Sequence, residues 1–319
     1  MNGKMWAYMI YLGSNMWAKK GEVRPYYVEP RLPERCYQEK MLTEKEIWRK
    51  VTDFLPGCGF NTLLIDIGEG VKLESYPQLA IPGSWEKQEL KEELARLREM
   101  GITPIPKLNF SSCHNAWMQE FGYMVGSEPY YRMCEEVVLE LIELFDTPEF
   151  FHLGLDEELV QTQQYFPITT VRTPQKQLED ANKLFKICME KGVRPWMWID
   201  PPAIDSFGGE ESFRKHIPKE VLISNWFYGY LYRRTPVKDA ELYKKLGEWG
   251  YDQMPTCSTW QYHANIGQTL RYCKENVEPS SIKGYLTAPW VPTISERYYA
   301  HLNEAWVFKY AKEEMYPEG

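Results

Sequence analysis

Strand-like and helix-like segments alternate eight times along 319 residues, and this predicts an α/β chain folded as a (β/α)8 TIM barrel. Two further observations point the same way. The strand-like segments are short apolar runs, as expected where helices cover both faces of a parallel sheet. Long polar stretches follow the first, second, third, fourth and sixth of them, where a barrel builds its ligand-binding loops. A doubly wound sheet is the alternative, but neither glycine-rich phosphate-binding signature is present to support it. A single barrel domain is expected over residues 1–319, with no separate domain before it.

The first strand is expected over Ala7–Leu12, followed by a polar stretch rich in Pro and Arg from Trp17 to Met41. Thr43 and Glu46 have capping-box spacing, which starts a helix that Pro56-Gly57 stops after Leu55. Asn61–Ile67 is the second strand. Ser84 with Lys87–Met100 gives an amphipathic helix ended by Gly101, and Ile102–Leu108 the third strand. Pro129–Phe145 is a helix, and Phe150–Leu155 the fourth strand. Pro174–Lys191 is a helix leading to a fifth strand, Val193–Ile199, and Val221–Trp226 is the sixth. The helix Asp239–Trp249, strand Gln253–Thr259, helix Ile266–Glu275, strand Gly284–Trp290 and helix Glu296–Glu314 complete the series.

Composition narrows the function. The net charge is −8 with no Lys/Arg block, a poor match to nucleic acid, which demands phosphate neutralisation. No run reaches the ~18 apolar residues of a membrane span. The seven cysteines are scattered without a CxxC pair, so no zinc knuckle or disulfide framework is indicated and no cofactor is expected. Free thiols and the lack of a clear signal peptide point to the cytoplasm. Aromatic residues make 15% of the chain. They read either as a large core or as rings lining a carbohydrate site, where indole faces stack on sugar C–H groups.

The most informative run is Phe150-Phe-His-Leu-Gly-Leu-Asp-Glu157, an apolar strand ending in two carboxylates. Alternation puts Phe151, Leu153 and Leu155 toward the helices, and His152, Gly154 and Asp156 toward the barrel axis. Glu157 follows where the chain leaves the strand. Paired carboxylates at the carboxyl end of a barrel strand suggest glycoside cleavage.

His152-Leu-Gly-Leu-Asp156-Glu157 resembles the fourth-strand His-x-Gly-Gly-Asp-Glu motif of the family 20 glycoside hydrolases, the β-N-acetylhexosaminidases. Ile105-Pro-Lys-Leu-Asn-Phe-Ser-Ser-Cys-His114 resembles their third-strand segment, and Pro195-Trp-Met-Trp198 their fifth. The chain departs from the family at Leu155, a glycine there, and at Asn109, an aspartate there. Its first strand ends Leu12-Gly-Ser-Asn15, without the arginine that grips sugar hydroxyls in the family. The resemblance implies substrate-assisted retaining hydrolysis of a hexosamine-containing glycan. Glu157 is then the general acid and base, with a pKa expected to be raised by its neighbouring carboxylate and apolar pocket. Asp156 orients the 2-acetamido group. Trp198, Trp226, Trp260 and Trp290 wall the sugar pocket, and Tyr228, in preference to Tyr230, donates to the acetamido oxygen. Asp200, Glu296 and Asn109 are candidates for substrate contacts, and His114 and His152 for orienting carboxylates.

Bland readings stand beside these. His152 also reads as a core histidine satisfied by backbone, the tryptophans as packing, Asp200 as a turn residue, and Asp66, Glu69 and Glu74 as a solvated rim. Three other functions remain open. One is a retaining glycosidase whose nucleophile is Asp200, Glu296 or Asp66. Another is a silent sugar-binding barrel, and the last a metal enzyme built on His152, Asp156, His114 and a further carboxylate.

Overall fold

The computed structural model describes residues 3–21, 33–163, 168–232 and 237–317. Eight parallel strands form one sheet: β1 (Met5–Tyr11), β2 (Thr62–Asp66), β3 (Thr103–Lys107), β4 (Phe150–His152), β5 (Arg194–Ile199), β6 (Leu222–Asn225), β7 (Thr256–Cys257) and β8 (Gly284–Thr287). Their spatial order is β6-β5-β4-β3-β2-β1-β8-β7. Parallel bridges Ile223–Gln253 and Trp226–Thr256 join the two ends, so the sheet closes into the expected barrel. Around it lie α1 (Lys45–Phe54), α2 (Lys87–Glu99), α3 (Glu128–Leu144), α4 (Pro174–Glu190), α5 (Pro201–Ser206), α6 (Gly209–His216), α7 (Lys238–Glu248), α8 (Asn265–Asn276) and α9 (Tyr298–Met315). No helix among the described residues is long and apolar enough to cross a membrane.

Strand alternation sorts the apolar residues into two clusters, as in other barrels. One lies between sheet and helices and takes Phe151, Leu153 and Leu155, the outward set expected from the sequence. The other fills the barrel and takes Met9, Leu64, Ile105, Phe150, Trp196, Trp198, Leu222 and Leu286. Near the top of this inner core Lys107 Nζ meets Asp66 Oδ2 at 2.6 Å, both buried. Asp66 is therefore a core ion pair on the axis and not a solvated rim, and its register partner Lys107 pairs on to His152.

Several expected boundaries shift, each for a local reason. Thr43 does not cap α1: its hydroxyl donates to the carbonyl of Leu12, tying the loop to β1, and Glu44 takes the N-cap place. The capping box belongs to α2, formed by Glu86 and Glu89, while the Ser84 hydroxyl donates to the Glu69 carbonyl. The fourth strand ends at His152 because the following backbone turns left-handed. The seventh shrinks to Thr256–Cys257, and the short helices α5 and α6 follow β5, where no element is expected from the sequence.

Candidate active site

The site grows from the end of β4. Gly154, Leu155 and Glu157 have φ of 70°, 76° and 53°, so the chain coils sharply over the barrel mouth. Only glycine fits at position 154, since a Cβ there would meet Asn109 Oδ1 at 2.0 Å. The closeness is useful: Asn109 Nδ2 donates to Asp156 Oδ1 at 3.0 Å. Asp156 is buried, and its pKa is raised, first by burial, against the lowering influence of His114 and with a further push from Glu157.

His114 arrives on the loop after β3. Its Nε2 lies 2.8 Å from Glu157 Oε2 and 3.8 Å from Asp156 Oδ2. Burial by itself would lower its pKa. Cys113, Asp156 and Glu157 outweigh burial and raise it well above the ordinary histidine value. The ring therefore favours its protonated form, one hydrogen bond from Glu157.

Glu158, directly behind, braces this arrangement. Its Oε1 accepts from the Ser112 backbone N–H at 2.7 Å and is paired with buried Arg172. Arg172 Nη1 reaches on to Asp180 Oδ2 of α4 at 3.0 Å. The loops carrying His114 and Glu157 are thereby clamped together. Thr162 Oγ1 adds a bond to the Glu157 carbonyl at 2.7 Å.

A cavity of about 190 Å3 opens at this point, lined by Met16, Trp17, Arg35, Asn109, His114, Asp156, Glu157, Trp226, Tyr228, Trp260, Gln261 and Trp290. A larger one, about 770 Å3, lies at the opposite end of the barrel around Lys4, Trp6, Lys274, Lys312 and Tyr316. It holds no carboxylate among its lining residues, so size does not mark the chemistry here. In the mouth cavity Trp226 stacks on Tyr228 at 5.3 Å, and Tyr228 packs against Trp290 at 5.7 Å. The Tyr228 hydroxyl is paired with the Trp290 side chain, while the indole N–H of Trp226 is buried without a hydrogen-bond partner among the described residues. Such a group is costly unless a bound molecule satisfies it.

Asn109, His114, Asp156, Glu157, Trp226, Tyr228, Trp260 and Trp290 thus come together as the sequence suggests. Four expected contacts do not. Trp198 lies beneath the cavity, against Trp290 and the His152 ring. His152 is a fully buried core histidine whose Nδ1 accepts from the Gly154 N–H, and burial with Lys107 nearby pushes its pKa well down. It orients the strand end rather than a carboxylate. Asp200 caps α5 by accepting from the Ala203 N–H, and burial together with Asp156 and Glu157 raises it to about 7. Glu296 is solvent-exposed in the 3-10 turn Ser295–Arg297 that precedes α9, and it is not among the residues lining the cavity.

Arg35, Trp17, Met16 and Gln261 were not legible as site residues. Arg35 lies between the Trp17 and Trp260 rings, 4.6 and 4.2 Å from their centroids. Its turn is anchored by Glu34, which pairs with Arg297. The cavity therefore has an arginine although the first strand supplies none. The one sequence signal was the position of Arg35 within the long loop after the first strand.

No protein-family model matches the chain, and no curated protein matches its sequence. Solved structures do match. A catalytic module of the pneumococcal exo-β-D-N-acetylglucosaminidase superposes with a TM-score of 0.65 at 14% identity, over 98% of this chain and 84% of that one. The Streptomyces plicatus β-hexosaminidase gives 0.63 at 11% identity, over 96% and 64%. The Bacteroides fragilis β-N-acetylhexosaminidase gives 0.60 at 14%, over 95% and 65%. The chain shares its (β/α)8 barrel fold with these structures. Its loops carry the Asp156–Glu157 pair, and Leu155 keeps the left-handed backbone where the family motif has glycine.

Proposed function

We propose that the chain is a retaining β-N-acetylhexosaminidase that uses the substrate's own 2-acetamido oxygen as nucleophile. The carrying observation is that Asp156 and Glu157 are the only carboxylates among the described residues lining the cavity. Asp66 is held by Lys107, Asp200 caps a helix, and Glu296 faces solvent, so none of the candidates for a separate enzyme nucleophile reaches the mouth. Substrate assistance, an exception to the two-carboxylate scheme, supplies the missing group.

Each residue then has a task. Glu157, aimed by its hydrogen bond to His114, gives its proton to the leaving oxygen as the glycosidic bond breaks. It later takes a proton from the water that opens the oxazolinium intermediate. Asp156, fixed by Asn109, accepts the acetamido N–H and offsets the positive charge that develops on the ring. The Tyr228 hydroxyl donates to the acetamido oxygen and holds it under the anomeric carbon. Trp226, Trp260 and Trp290 enclose the sugar, and Arg35 offers donors to its hydroxyls from the rim. A cavity of about 190 Å3 suits one terminal sugar ring, which supports exo action.

The test compares nitrophenyl and sugar leaving groups on wild type and Glu157→Gln. N-acetylglucosaminides should be cleaved and glucosides left intact. The variant should lose about 10²–10⁴-fold on the disaccharide, and much less on the nitrophenyl glycoside, whose leaving group needs little protonation. Cleavage of substrates with a free 2-hydroxyl at comparable rates would overturn substrate assistance.

A further inference from the structure

Cys113, His114 and Glu157 each present a ligand atom, and these three atoms lie within 4.8 Å of one another. Such a triangle encloses a point no more than about 2.8 Å from each corner, so shifts of roughly half an ångström bring all three to zinc distances of about 2.0–2.3 Å. His114 is 5% exposed, and its Nδ1 has no hydrogen-bond partner among the described residues. The Cys113 sulfur is 3.2 Å from the Glu157 carbonyl oxygen, so it sits on the loop that aims the acid. His114 and Glu157 line the cavity, with Cys113 buried behind them, so a fourth position on the cavity side is open to water. A thiol, an imidazole and a carboxylate with one open position form a donor set that favours zinc over magnesium or calcium.

We propose that these three residues form an inhibitory zinc site. The ion takes the place of the His114–Glu157 hydrogen bond, and both the proton shared in that bond and the Cys113 thiol proton leave to solvent as the zinc bonds form. Glu157 is then a metal ligand with no proton to give, and hydrolysis stops until the zinc is removed. The inhibitory consequence rests on the glycosidase reading, whereas the binding itself does not.

Cobalt(II) titrated into the full chain reports binding without any activity assay, through the thiolate-to-cobalt charge-transfer absorption. The band should appear in wild type, disappear in Cys113→Ser, weaken in His114→Gln, and be displaced by zinc. Hydrolysis by wild type should be inhibited by zinc and restored by EDTA. Cys113→Ser should need more than about tenfold higher zinc, since losing even an outer partner of a metal site costs that much. No band in wild type overturns the site whatever the activity. A band that survives in both variants belongs to exposed Cys36 and also overturns it. A Cys113-dependent band with zinc-insensitive hydrolysis overturns the inhibitory role. The same band in a protein that cleaves no glycoside supports the site and refutes the functional reading.

Discussion

Replacing Glu69 by Gln should stabilise the protein at alkaline pH and hardly at all in acid. Glu69 is buried behind the loop after β1, where its Oε1 accepts from the N–H groups of Ser14 and Asn15 at 2.8 and 3.0 Å. Its Oε2 is buried with no partner among the described residues. Burial raises the pKa from 4.5 to about 7, despite the opposing pull of these backbone donors. Below pH 4.5 both folded and unfolded states hold the proton and nothing differs. Between 4.5 and 7 the unfolded chain loses it first, so the folded state binds more protons and stability falls as pH rises. Above 7 the penalty is complete. At 1.36 kcal/mol per unit, the wild type loses about 2.5 kcal/mol between pH 5 and pH 8 through this group, and the amide loses none. For a chain of this size that is a Tm difference of roughly 5 °C. Melting curves of both proteins at the two pH values, followed by circular dichroism, measure it. Parallel Tm–pH curves would refute the buried-carboxyl argument.

Two further substitutions probe the site and its support. Tyr228→Phe should lower kcat about a hundredfold with little change in KM, since its hydroxyl contributes most once the acetamido oxygen attacks; steady-state kinetics on an N-acetylglucosaminide decide it. Arg172→Met leaves the buried carboxylates of Glu158 and Asp180 without their shared cation, and should cost about 3–5 kcal/mol in denaturant unfolding.

The barrel was legible because its signals are local. Period-two alternation in Phe150–Leu155 assigned the outward face correctly, and the same logic placed Asp156 at the inner rim. What the sequence hid depends on distant partners. A hydroxyl with capping-box spacing at Thr43 is drawn off by the Leu12 carbonyl, which no local rule reports. Trp198 shares its phase with residues that point inward, but phase does not tell which layer of the barrel interior a ring occupies, and the Trp290 ring packs against it from above. Arg35 enters the site from a loop whose path is set by the Glu34–Arg297 pair, across most of the chain length. Glu296 failed for the converse reason, since its place after the eighth strand says nothing about the direction in which that loop leaves.

Leu155 explains how the site geometry persists where the motif does not. A left-handed residue with a side chain costs roughly 1–2 kcal/mol relative to glycine. Leu155 adopts φ 76° and is only 2% exposed, packed in the cluster between sheet and helices. Full burial of a leucine contributes about 1.5–3 kcal/mol, enough to offset the backbone cost. The turn is thus kept by packing where glycine would keep it by conformational freedom. Glu157, at φ 53°, has no such burial of its own. Its backbone is held instead by Thr162 and Cys113, which both donate to its carbonyl, and by the Leu159 N–H at 2.7 Å. Strain of this kind persists only where surrounding bonds over-determine it. At Glu157 those bonds all serve to aim one carboxyl at His114 and the cavity, which is the arrangement an acid catalyst requires and a merely structural turn does not.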